Sequence, residues 1–378
     1  MLSALLLLTA AVSASPSVDE GEAQASILEQ GELRGIWVTR WTWKTEPELR
    51  RILREVDEAG FNAVFFQVRG EFDAFYPSEI EPWGRQLTGV SGGDPGWDPL
   101  AVAVDQAHEL GLQLHAYLNV FPLWKAGEQL PDEGTPNPAI RAHPQWEIQG
   151  PQGQHLLTPE QPYHFASPGN PEVRFRIAQV AADIDYRYDV DGIHLDYIRY
   201  PHRDASRDPV SVARYDSSKS WEDWQRDQVH ATVAGVSAMV SVPVTAAVWG
   251  VNENRWGWSG VSQGKHDYYQ DSHAMLERKL LDGIAPMVYW PNQSQRGERL
   301  DFSTLVADHV SKSAGRHVYA GVNAELTYEQ LVDCIRSARR EGAQGVIVFD
   351  YSLVRDNLER LKSDVFQAPA KPPEMPWR

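Results

Sequence analysis

Cysteine is all but missing. Cys334 stands alone among 378 residues, so no disulfide can form within the chain and no paired-cysteine zinc site is available. It falls in "LVDCIRSARR", an amphipathic helical pattern, and reads as a buried core thiol. Basic clusters are missing too. The formal net charge is −17 and no Lys/Arg-rich run occurs, which disfavours a nucleic-acid partner. There is no HExxH motif or compact His/Asp cluster, so no metal ion is expected; no GxSxG elbow occurs, which disfavours a serine hydrolase. Nothing calls for a cofactor, and nothing in the sequence names a protein partner.

Long apolar runs are scarce. The opening "MLSALLLLTAAVSASPS" has one, residues 2–12, which is too short to span a bilayer as a helix. Val12-Ser13-Ala14 fits the small-x-small pattern of a signal-peptidase site, although no Lys or Arg precedes the apolar run. We therefore expect a signal peptide over 1–14 with cleavage after Ala14, then a polar lead over 15–31. The mature protein would be secreted or periplasmic and without a membrane span. An export signal without disulfides fits a bacterial periplasm or outer surface.

A hydrophobic share of 42% is enough for a sizeable core. Eight apolar, β-rich runs recur along the chain: "LRGIWVTRW" (33–41), "FNAVFFQVRG" (61–70), "LQLHAYLNVF" (112–121), "VDGIHLDYI" (190–198), "VPVTAAVWGV" (242–251), "LDGIAPMVYW" (281–290), "HVYAGVNAE" (317–325) and "AQGVIVFDY" (343–351). Helical patterns lie between them at 46–60, 98–111, 171–188, 221–240 and 327–342, several ending in Gly as a C-cap does. Strands alternating with helices predict the α/β class and a (β/α)8 TIM barrel, one domain over 32–365. A doubly wound open sheet ranks second, because no Gly-rich phosphate fingerprint follows the first strand. Long connections follow strands three and four, at the end where such barrels keep their active-site loops. The tail 366–378, "QAPAKPPEMPWR" in its last twelve residues, is Pro-rich and expected to be extended.

Residues two apart share a face of a strand. In "VDGIHLDYIRYP" that parity sends Ile193 and Leu195 to the helices, and Gly192, His194 and Asp196 to the barrel interior, with Asp196 nearest the C-terminal mouth. It likewise puts Gln67, Arg69 and Glu71 inside from strand two, and His115, Tyr117 and Asn119 from strand three. From the later strands come Met287 and Tyr289, then Asn323, and finally Val346, Val348 and Asp350, with Asp350 at the top. A barrel core needs Val, Ile and Leu, not this polar crown. Each residue has a plainer reading: Arg69 could pair with Glu71 or Asp73 to fix a loop, and His115 and His194 could be satisfied core histidines. Taken together, carboxylates ringed by aromatics suit glycoside hydrolysis, which needs one carboxyl protonated and one ionised. Fourteen tryptophans suit a sugar cleft. Trp41, Trp43, Trp83, Trp124, Trp249, Trp256, Trp258 and Trp290 fall at or after strand ends. The expected partner is a polysaccharide, held by Arg69, Glu71, Asp73, His115, Asn119, His194, Arg199, Trp249, Tyr289, Trp290, Asn323 and Asp350.

Five blocks in this order, "GIWVTRW", "GFNAVFFQVRGEFDAFYPSEIEPWGRQLTG", "DPLAVAVDQAHELGLQLHAYLNV", "HFASPGNPEVR" and "VDGIHLDYIRYP", resemble the bacterial glycosyl hydrolase-like family ten over residues 32–351. The resemblance implies a (β/α)8 glycosidase exported to act on polysaccharide, with peptidoglycan strands stripped of their peptides as the expected substrate. Family-matching positions are Gln67, Arg69, Asp73, Tyr76, Pro77, Ser78, His115, Asn119, Asp191, Gly192, Asp196 and Pro201; Tyr117 stands where a tryptophan is common. The strand-four block is also similar to chitinase and amylase signatures. Ile198 occupies the place of a chitinase's catalytic glutamate, which speaks against that mechanism. By analogy with the amylase layout, Asp196 is the expected nucleophile and Glu253 the expected proton donor, with Asp350, Glu71 and Glu325 as rivals of Glu253. A non-catalytic carbohydrate-binding barrel is the alternative, and a deacetylase or esterase ranks third.

Overall fold

The computed structural model describes residues 31–130, 138–154 and 163–378. The expected signal peptide and all but the last residue of the polar lead lie outside the described residues.

Eight parallel strands close into a barrel: β1 (Leu33–Val38), β2 (Ala63–Arg69), β3 (Gln113–Asn119), β6 (Gly192–Asp196), β7 (Val244–Trp249), β8 (Gly283–Met287), β9 (His317–Asn323) and β10 (Gly345–Phe349), with β10 pairing back onto β1. The expected eight runs supply them, each shortened at its ends. A ninth and tenth strand, β4 (Pro122–Lys125) and β5 (Tyr163–Phe165), form an antiparallel pair within the long connection after β3. Four-residue and three-residue strands lack enough alternation to show in the sequence.

One main helix follows each barrel strand: α1 (Glu46–Glu58), α2 (Pro99–Leu110), α3 (Pro171–Arg187), α4 (Trp221–Met239), α5 (Ser272–Glu277), α6 (Phe302–Ser311), α7 (Tyr328–Arg340) and α8 (Leu358–Asp364). Their starts are chemically marked. Asp98, Asn170, Ser220, Asp271, Asp301 and Thr327 each accept a backbone N–H of the first turn. α1 buries Leu49, Ile52, Leu53 and Val56, an i, i+3, i+4, i+7 stripe. The helices α5, α6 and α8 escaped the sequence reading because they are short.

Two apolar layers result. Leu33, Trp37, Ala63, Phe65, Tyr117, Ala247, Ala285, Tyr319 and Ile347 fill the barrel, and a much larger cluster lies between strands and helices. Val346 and Val348 belong to the outer layer, so the expected parity of β10 is reversed and Ile347 is the inward residue. On β2 the register slips between Gln67 and Arg69, so Arg69 pairs with outward-facing Leu118. That bulge turns Arg69 out of the barrel interior where alternation had put it. The Pro-rich tail is not loose: Met375 packs on the inner barrel cluster and Trp377 lies edge-on to His317, the first residue of β9.

Candidate active site

The tops of β3 and β6 bring Asn119 and Asp196 side by side. The Tyr117 hydroxyl donates to Asp196 Oδ2 at 2.9 Å, and the Tyr197 backbone N–H to Oδ1 at 2.6 Å. Tyr197 holds φ at +51°, a left-handed conformation that a bulky residue seldom adopts and that costs about 1–3 kcal/mol. The turn that presents Asp196 is thus strained. Burial raises the Asp196 pKa above its ordinary value, and Arg199's charge and the two hydrogen bonds only partly offset it. Arg199 itself is enclosed by rings, its guanidinium 4.8 Å from the Tyr197 centroid, 5.4 Å from Trp249 and 5.3 Å from Tyr268. Asn119 Oδ1 is buried with no hydrogen-bond partner among the described residues.

Across the mouth, Asp350 follows β10. Its Oδ2 accepts from Thr39 Oγ1 at 3.4 Å, and its Oδ1 from Ser352 Oγ at 2.5 Å and Leu353 N at 3.2 Å. Between the two acids stands Tyr289, stacked on Phe349 with centroids 5.6 Å apart. Burial, then the charges of both Asp196 and Asp350, push its phenol well above the ordinary value.

A sealed ion network supports the loop after β2. Arg40 Nη2 bonds Glu71 Oε1 at 3.0 Å, the Lys125 backbone N–H bonds Glu71 Oε2 at 3.2 Å, and Asp73 accepts from the N–H groups of Gly70 and Glu71. A Cβ at Gly70 would stand 2.7 Å from Arg40 Nε, so glycine is what lets the guanidinium pass. Burial first, and Asp73 second, raise the Glu71 pKa against the pull of Arg40 and Arg85.

Several expected sugar contacts lie elsewhere. Arg69 does make a loop-fixing ion pair, but with Glu81 (2.8 Å from both Nε and Nη2), and it donates to the carbonyls of Asn119 and Val120. It is fully buried and has no donor for a sugar. His194 receives the Trp37 indole N–H on Nε2 at 3.2 Å and meets Thr245 Oγ1 at 2.9 Å; burial holds its pKa well below the ordinary value. His115 lies flat on Phe65 with its pKa lowered to about 4 by burial. Both are core histidines beneath the mouth. Trp290 packs with the outer apolar layer, and Asn323 bonds Glu325 at the exposed end of β9. Trp249, at the end of β7, is half-buried beside Tyr268.

Glu253, the expected proton donor, has surroundings unlike those of Asp196. It sits in the loop after β7, bonded to Lys265 and His266, with 43% of its side chain exposed. Burial nudges its pKa up, but the His266 bond and the Lys265 charge outweigh that and hold it low. A proton donor needs the opposite. Residues that the sequence reading passed over are Tyr197, Tyr163 and Arg40. Tyr197 adjoins Asp196 in the chain and could have been read from "DYIRYP"; Tyr163 arrives on the unrecognised β5.

The model of the family described as Glycosyl hydrolase-like 10 matches residues 32–332. Two curated relatives are similar over most of their length. Glycosyl hydrolase YngK of Bacillus subtilis (strain 168) is 28% identical, covering 92% of this chain and 74% of the relative. Glycosyl hydrolase DigH of Escherichia coli (strain K12) is 29% identical, covering 77% and 72%. Among solved structures, the PgaB (BpsB) glycoside hydrolase domain from Bordetella bronchiseptica superposes with a TM-score of 0.59 at 14% identity, over 88% of this chain and 97% of that one. The catalytic domain of β-amylase from Paenibacillus polymyxa gives 0.55 at 11% identity, over 85% and 93%. At such identities the likeness is one of fold.

Proposed function

The chain belongs to the glycosyl hydrolase-like 10 family and is by that membership a glycoside hydrolase, and from this premise we propose that it is an exported enzyme cleaving peptide-free peptidoglycan strands with Asp196 and Asp350. The observation that carries the reading is the placement of these two acids. In the closed ring, β6 and β10 are separated by β7, β8 and β9 one way and by β3, β2 and β1 the other. Asp196 and Asp350 therefore rise from opposite walls of the mouth, with Tyr289 feeling both charges.

Their surroundings divide the labour. Burial keeps Asp196 in its protonated form to a higher pH, which suits the proton donor to the leaving oxygen. This reverses the expected assignment of Asp196 as nucleophile. Asp350 accepts three hydrogen bonds that fix its carboxylate in one orientation at the mouth, which suits the nucleophile or water-activating base. The rivals are spoken for: Glu71 has a fully buried side chain tied to Arg40, and Glu325 is exposed beside Asn323. Asn119, beside Asp196 at the top of β3, is the residue we assign to positioning that acid. Export and the peptidoglycan substrate are supported by the signal-like N-terminus and the family resemblance of the five sequence blocks.

The test is turnover on peptide-free peptidoglycan glycan, followed by mass spectrometry of the products. Asp196→Asn and Asp350→Asn should each lower kcat by about 10²–10⁴-fold with KM little changed. Near-normal turnover in either variant removes that residue from the mechanism. Glycan binding without products in the unmodified chain would favour the carbohydrate-binding alternative.

A further inference from the structure

We propose that Trp41 and Lys125 form a subsite for a sugar ring bearing a carboxylate, next to the ring at the cleaved bond. This rests on the glycosidase reading and specifies the chemistry of one substrate unit. Trp41 directly follows Arg40 beyond the end of β1 and is 52% exposed, the most exposed of the fourteen tryptophans. An exposed indole at a glycosidase mouth offers a flat apolar face to the C–H face of a pyranose.

Two cations lie against the ring, which is nonetheless half exposed. The Arg40 guanidinium lies 4.4 Å from its centroid and the Lys125 ammonium 5.7 Å. One carboxylate ties the Arg40 side chain to the Lys125 main chain, because Glu71 takes the Arg40 side chain on Oε1 and the Lys125 backbone N–H on Oε2. The platform is thus preorganised before any ligand arrives. Arg40 also neighbours Tyr163, whose ring meets Tyr197 at 5.9 Å, and Tyr197 adjoins Asp196. That chain of contacts ties the subsite to the acid at one remove.

The two cations differ in availability. Arg40 is buried and answered by the sealed carboxylates Glu71 and Asp73. Lys125 has 39% of its side chain exposed and meets Glu128 at 3.4 Å, a carboxylate that Arg85 shares. An ammonium has three donors, so Lys125 can take a second anion while keeping Glu128. A carboxylate on the ring stacked over Trp41 would meet that charge. Two kinds of sugar carry one: a uronic acid, or a hexosamine with an ether-linked acid side chain.

The experiment measures glycan binding by titration calorimetry in the full chain carrying Asp196→Asn, so that turnover does not interfere. Three probes are compared: chitooligosaccharides (neutral), hyaluronan oligosaccharides (uronic acid) and peptide-free peptidoglycan oligosaccharides (ether-linked acid). Lys125→Met should weaken at least one carboxylated probe by roughly tenfold and leave the neutral probe within roughly twofold, and the probe affected identifies the carboxylate. Trp41→Ala should weaken every probe that binds. Equal effects of Lys125→Met on neutral and acidic probes, or none, overturn the proposal, as does unchanged binding in Trp41→Ala. Thermal melts of both surface variants check that folding is intact. Lys125-dependent binding without products from the unmodified chain would uphold the subsite and sink only hydrolysis.

Discussion

Asp196 is kept at the expense of stability. Its folded pKa lies above the unfolded value, so the proton it binds favours the fold at low pH, and that contribution disappears as pH rises through the folded pKa. At neutral pH a buried charge remains, only partly answered by Tyr117, the Tyr197 N–H and Arg199. Asp196→Asn should therefore be inactive yet more stable, with Tm about 2 °C higher near pH 7 and no advantage below about pH 4. Calorimetric scans across pH check this; an Asn variant less stable than its parent at pH 7 would mean that the carboxylate is satisfied by its neighbours. This residue was legible because strand alternation alone aims it at the mouth. Arg40 was not, since it reaches the site past Gly70 through a buried bridge to Glu71 that no periodicity encodes.

Elements were legible where they are long. The eight barrel strands are nearly unbroken buried runs, as strands covered on both faces must be, and the five longest helices show helical periodicity in the sequence. Alternation misled where the backbone departs from it: at the bulge that turns Arg69 outward, and in β10, whose inward residues are Ile347 and Phe349. The bulge gives Arg69 a different task. Its bidentate pair with Glu81 pins the loop after β2, while its Nη1 holds the carbonyls of Asn119 and Val120 at the top of β3. Arg69→Met strands a buried carboxylate and two carbonyls, so a loss of about 3–5 kcal/mol is expected in urea denaturation. Adding Glu81→Leu should recover part of it by removing the orphaned charge. A single variant within about 0.5 kcal/mol of the parent would show that the network contributes nothing to stability.

At the scale of the whole molecule the barrel has two unlike ends. The mouth gathers acids and rings, whereas the opposite end is closed by the chain's own Pro-rich tail. Arg34 donates to the Ala368 carbonyl, Asn62 to that of Ala370, and the Glu32 N–H to that of Lys371. Met375 then covers the inner cluster, and Trp377 and Arg378 both bond Asp282 just before β8. Composition alone marked this tail as extended, and the part that docks through the main-chain carbonyls of Ala368, Ala370 and Lys371 leaves no side-chain signature. Deleting residues 368–378 uncovers apolar barrel floor far from the mouth, so Tm should fall by at least about 4 °C while kcat at 25 °C stays unchanged. The deficit has a sign in pH as well. Burial tends to raise the Asp282 pKa, but Arg378, the Val244 N–H and the Trp377 indole outweigh it and hold it below the ordinary value. Its contribution is present above the unfolded pKa and is lost as pH falls through the folded one. The difference in Tm between full-length and truncated chains should accordingly narrow below about pH 4; a gap that does not narrow in acid would mean that the tail is held by its apolar contacts and not by Asp282.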